Sequence, residues 1–193
     1  MKKVKFIYAY PLDVNRRNLY ESKGLGEYPD IGQIKEKIKH WEEIWNKANK
    51  DDQIINYLID LCEEPERASE CFVIGAGMRP MSAPLLIPII GRDGERSDEE
   101  FLETLIHEII HVFVEERKKY WRKFVDEEYK EESKSTQNHI IVYAILEDIY
   151  KKFFNSLPGD FGDTDLPDSY IKAIDIVKKE GREKIIKDFI DNK

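Results

Sequence analysis

An α+β fold is what this 193-residue sequence predicts: a small mixed sheet with an edge strand, packed on one helix and joined by several further helices. Three observations carry that expectation. Short apolar runs bounded by turn residues fall only in the first half, at 4–10, 71–76 and 83–90. Helical periodicity recurs along the chain, and it dominates after residue 95. The length suits one domain with a proper core, read here as a sheet-containing part over 1–95 and a helical part over 96–193.

The elements follow in order. Residues 4–10 alternate as a first strand, and 15–29, polar with Gly24 and Gly26, read as a loop. Two helices are expected at 31–47, around Trp41, Ile44 and Trp45, and at 53–62, around Ile54, Ile55, Leu58, Ile59 and Leu61. His40, beside Trp41, is expected on a helix surface and not as a ligand. Residues 71–76 form a short strand, 77–82 a turn, and 83–90 a second apolar strand holding Pro84 and Pro88. Proline removes ladder donors, so 83–90 is predicted to be an edge strand. After a short loop at 91–95, Ser97 is a candidate N-cap, and Asp98, Glu99 and Glu100 suit the positive end of a helix dipole.

That helix carries the chemistry. At about 100° per residue, Phe101, Leu102, Leu105, Ile106, Ile109, Ile110, Val112 and Phe113 fill one arc. Glu103, Thr104, His107, Glu108, His111 and Glu115 fill the other, with only Val114 intruding. One side therefore packs on a core while the histidines and Glu108 face away from it. Residues four apart on a helix project one turn from each other, so His107 and His111 can reach one ion. Glu108 stands beside that ion without binding it, where it can take a proton from water.

His107-Glu108-Ile109-Ile110-His111 resembles the zincins, zinc metallopeptidases that carry His-Glu-x-x-His on an active-site helix. The likeness rests on five residues and their context, about a quarter of the chain. The extended signature is absent, because Val114 holds the glycine position and Arg117 that of a third histidine. The resemblance implies a zincin-like fold, Zn2+ as cofactor, hydrolysis of peptide bonds, and a third ligand further along the chain. It also implies an edge strand near the active-site helix, along which a peptide lies extended.

Catalytic zinc takes three protein ligands and keeps one position open. His139, in the first turns of a helix over 136–154 behind candidate caps at Ser135 and Thr136, is the expected third ligand. Glu147 on the same helix is the alternative, and Glu131 and Glu132 lie nearer in a charged run. An unbroken helix from 97 to 132 would end about 30 Å beyond His111. His139 therefore ligates only if the first helix ends or bends soon after Glu116. The Lys- and Glu-rich stretch at 115–134, with Tyr120, Trp121, Phe124, Val125 and Tyr129 at helical spacing, reads as a helical excursion that returns. Tyr143, one turn after His139, is a candidate oxyanion donor. Glu147 is also a candidate for orienting a ligand imidazole.

The remaining features bound the class. The net charge of −8 and the absence of a basic cluster argue against nucleic acid as a partner. No apolar stretch reaches the roughly 18 residues that a bilayer requires, and the N-terminal apolar run is too short for an export signal. Cys62 and Cys71 read as thiols, so a cytoplasmic protein acting on a peptide or protein substrate is expected. Residues 158–163 form a turn-rich break, followed by helices at 169–179 and 182–190. Asp163, Asp165 and Asp168 lack the pattern of a calcium loop and read as loop and cap residues. The competing class is a zincin-fold metal-binding module with a binding or regulatory role.

Overall fold

The short apolar runs of the first half pair into a four-stranded sheet in the computed structural model, which describes residues 4–65, 70–91, 94–116 and 118–191. The fold is α+β. Its residues divide into two compact units, one of 1–55 and 65–112, the other of 56–64 and 113–193.

In the first unit, β1 (Lys5–Tyr8), β2 (Glu70–Ile74), β3 (Met81–Ser82) and β4 (Leu85–Pro88) stand in the order β1-β2-β4-β3. β1 and β4 flank β2 in parallel, and β3 runs antiparallel to β4. The strand predicted as an edge is therefore internal. Pro84 lies before β4 and Pro88 is its last residue, so neither removes a donor from the middle of the ladder. All four β4 residues are buried, and the edges are β1 and the two-residue β3.

The predicted loop at 15–29 is half corrected. α1 (Tyr10–Ser22) is helical, with proline in its first turn, and the connecting loop is confined to 23–30. α1 gave no apolar stripe because its one buried residue is an aspartate. The Asp13 carboxylate accepts from the Tyr8 hydroxyl at 2.8 Å, the Tyr28 hydroxyl at 2.5 Å and the Gly75 amide at 2.7 Å. A polar network anchors this helix where periodicity analysis looks for leucines. Gly75 is required there, since a Cβ would stand 2.4 Å from the Tyr28 ring.

α2 (Ile31–Ala48) begins with a reciprocal capping box between Asp30 and Gln33 and buries Ile34, Trp41 and Trp45. A 3-10 turn at Lys50–Asp52 leads into α3 (Gln53–Cys62). α4 (Asp98–Glu116) then packs its first turn inward. Phe101 stacks on Trp41 with ring centroids 4.1 Å apart and meets Phe6 of β1 at 5.9 Å.

The second unit is helical: α5 (Lys118–Glu128), α6 (Lys134–Ile149), α7 (Asp168–Glu180) and α8 (Arg182–Asp191). The long charged stretch is helical at α5, which buries Trp121 and Val125, and Tyr129 is buried just beyond it. α6 is buried almost all round from Ile140 to Leu146, and a π-helical segment at Tyr150–Phe154 extends it. Its N-cap is Ser133, whose hydroxyl accepts from the Thr136 amide. The candidates Ser135 and Thr136 are inside the first turn instead. Among the described residues no helix is long and apolar enough to cross a membrane.

Candidate metal centre

α4 delivers the two histidines of the motif. Its start is fixed by a capping box: the Ser97 hydroxyl accepts from the Glu100 amide, and the Glu100 carboxylate accepts from the Ser97 amide at 2.7 Å. Phe101, Leu105, Ile106, Ile109, Ile110 and Phe113 are buried, which orients the opposite face as the periodicity predicts. His107 is 7% exposed and His111 half-buried. Their Nε2 atoms face each other at 3.2 Å. Two nitrogens on one tetrahedral ion at about 2.0–2.1 Å stand roughly 3.3–3.4 Å apart, so this pair already has the spacing of co-ligands.

Glu108 sits between them in sequence, half-buried. Burial raises its carboxyl to about 7 against the opposing pull of the Arg96 guanidinium. Arg96 is held in place, its Nε donating to the Pro88 carbonyl at 3.1 Å and an Nη to the Thr104 hydroxyl at 3.2 Å. Gly91 lets this happen, since a Cβ there would stand 3.2 Å from the guanidinium carbon. Burial, and then the Glu108 charge, push the buried Cys71 thiol up.

His139, on α6, is 8% exposed. Its Nδ1 lies 2.7 Å from the Ser135 carbonyl oxygen, one helical turn back. A carbonyl only accepts, so Nδ1 carries the proton and Nε2 carries the lone pair. Burial lowers the pKa of this imidazole, with the Ser135 carbonyl opposing, which favours the neutral ring that a metal needs. His107, His111 and His139 each offer one ligand nitrogen, and the three atoms lie within 4.8 Å of one another. Three imidazoles are a donor set that zinc accepts, and the residues present fit that ion.

The other candidates are placed differently. Glu147 pairs with Arg182 at 3.5 Å and is not among the clustered groups. Tyr143 is fully buried, and its hydroxyl donates to Asp160 at 2.9 Å. His40 is on the α2 surface, 2.8 Å from Asp98. Asp163 and Asp168 act locally, the first accepting from the Asp165 amide and the second lying in the first turn of α7.

Sequence reasoning missed three features of this region. Arg96 falls between the predicted loop and the helix N-cap, where nothing in the sequence marks a half-buried arginine. The Ser135 carbonyl was legible in principle, being four residues before His139 on a helix. The Tyr170 ring lies tilted against that of His139, and only the folding of α7 onto α6 reveals it. In comparisons with known proteins, no family model, no curated protein and no solved structure matches the chain.

Proposed function

We propose that this chain is a zinc-dependent peptidase with a zincin-like active site, holding zinc through His107, His111 and His139. The observation that carries the reading is the cluster of three imidazole nitrogens with Glu108 adjacent on the same helix. Zinc, when bound, supplies a Lewis acid that polarises a scissile carbonyl and makes water acidic near neutral pH. Every other part is played by the chain. His107 and His111 fix two positions by helical spacing, and His139 offers Nε2 because its Nδ1 proton is given to Ser135. Glu108 takes the proton from the attacking water and returns it to the leaving amine. The fixed guanidinium of Arg96 keeps positive charge near that carboxylate. We place the enzyme in the cytoplasm, acting on peptide or protein substrates, in keeping with the buried thiols of Cys62 and Cys71.

The deciding experiment is Glu108→Gln. It should retain about one zinc per chain while peptide hydrolysis falls by roughly 10²–10⁴-fold, the usual worth of a positioned acid–base group. The assay is turnover of a mixed peptide library with chelation and zinc restoration as controls. Equal turnover by the variant and the parent removes Glu108 from the chemistry. Zinc binding with no turnover by either protein favours a metal-binding module instead.

A further inference from the structure

We propose that Tyr170 is a positioning residue for the third ligand, its ring clamping one face of His139 so that Nε2 points in a single direction. The inference rests on the metal reading and names what makes that site complete. It assigns a part of the centre to α7, a helix with no residue in the motif.

A histidine side chain turns about two torsions, and both must be set for Nε2 to have one direction. The hydrogen bond from Nδ1 to the Ser135 carbonyl fixes one edge of the ring but leaves it able to pivot about that contact. The Tyr170 ring removes the pivot. Its centroid is 4.0 Å from that of His139, with the planes inclined by 33°. Aromatic pairs ordinarily stand about 4.5–7 Å apart, so this is close face contact. Tyr143 is a less direct neighbour, 6.0 Å from both His139 and Tyr170, with its hydroxyl committed to Asp160.

Tyr170 is itself well anchored. It occupies the first turn of α7, where its amide donates to the Pro167 carbonyl at 2.8 Å. The preceding residue ties the two helix starts together, with the Ser169 and Ser135 hydroxyl oxygens 3.0 Å apart. Further along, Ala173, Ile174 and Val177 are buried. The residue whose carbonyl holds one edge of His139 is thus bonded to the neighbour of the residue that covers its face. Outer partners of ligand histidines are commonly worth about 10–100-fold in metal affinity.

The test compares Tyr170→Leu and Tyr170→Phe with the parent. Zinc affinity is read by competition with a chromophoric chelator, and coordination by the visible spectrum of the cobalt-substituted protein. Long-range proton–nitrogen NMR of the metal-free chain follows His139 directly. Tyr170→Leu should bind zinc about tenfold or more weakly, alter the cobalt spectrum and lose the single Nδ1–H signature of His139. Tyr170→Phe keeps the ring face and should match the parent. Parent-like zinc affinity in Tyr170→Leu overturns the proposal, as does equal loss in both variants. If Tyr170→Leu unfolds the metal-free chain, Tyr170→Met replaces it and is read against the same outcomes. His107→Ala separates the two levels: zinc retained by that variant defeats the metal centre itself. Zinc lost there but kept in Tyr170→Leu defeats only the clamp.

Discussion

His107 and His111 owe their closeness to one helix, whereas His139 owes its readiness to the packing of α6 with α7. The first two stand four residues apart on α4, and 3.2 Å between their Nε2 atoms follows from helical geometry once the opposite face is buried. His139 has no such neighbour on its own helix. Its tautomer is set by a backbone carbonyl and its ring plane by Tyr170. The same ligand chemistry is therefore secured by one helix alone in one region, and by a helical carbonyl together with a tertiary ring contact in the other. A local device survives small rearrangements of the fold, while a tertiary one fails when the packing around it loosens.

The largest expected effect tests that contrast at the ligands. His107→Ala and His111→Ala each break the pre-arranged pair, and both should lower zinc affinity far more than the roughly 100-fold that an outer partner is worth. His139→Ala should also weaken zinc strongly, but less, because the helical pair stays pre-organised for weak two-ligand binding. Chelator competition ranks the three. A loss in His139→Ala equal to the others would show that the ready-made pair confers no advantage.

The two regions should also respond to pH with opposite sign in the metal-free protein. Glu108 has its carboxyl raised from the ordinary 4.5 to about 7, chiefly by burial, so the folded chain holds that proton more tightly than the unfolded chain. Its cost is absent below about pH 4.5, grows across the interval, and reaches roughly 3 kcal/mol above pH 7. Metal-free Glu108→Gln should thus be more stable than the parent at pH 8 and equal to it near pH 4, as chemical denaturation would read. His139, lowered by burial, is costly on the acid side: stability should fall as pH drops through its ordinary 6.5. Removing His139 should flatten that acid limb. A Glu108→Gln difference that is the same at both pH values would sink the burial account.

The smallest effect separates the two helix caps. Ser97→Ala and Ser133→Ala should each cost about 1 kcal/mol of stability, because each removes a side-chain acceptor at a helix start. Only Ser133→Ala should also weaken zinc. It frays the turn that holds the Ser135 carbonyl against His139, while the motif on α4 lies more than two turns from Ser97. Unfolding curves with zinc titrations on both variants would check this, and equal zinc affinities would refute the link between the α6 cap and the third ligand.

Much of the chain is legible without a structure, for physical reasons that differ by element. α2, α3, α7 and α8 follow from apolar spacing and turn residues, because each buries an apolar stripe. α1 does not, since it is anchored by the buried Asp13 carboxylate rather than by hydrocarbon. The place of β4 inside the sheet is not legible either, because Pro84 and Pro88 signal an edge by their presence, while only their place at the ends leaves the ladder intact.

By itself the sequence determined the α+β class and the helix that carries His107, Glu108 and His111. These are consequences of periodicity, rise per residue and side-chain chemistry, all of which act over a few neighbours. Tertiary structure alone decided that His139 and not Glu147 joins the cluster, that Arg96 stands half-buried beside Glu108, and that Tyr170 covers the third imidazole. Those outcomes depend on which faces meet when distant segments pack, and no local pattern encodes the meeting.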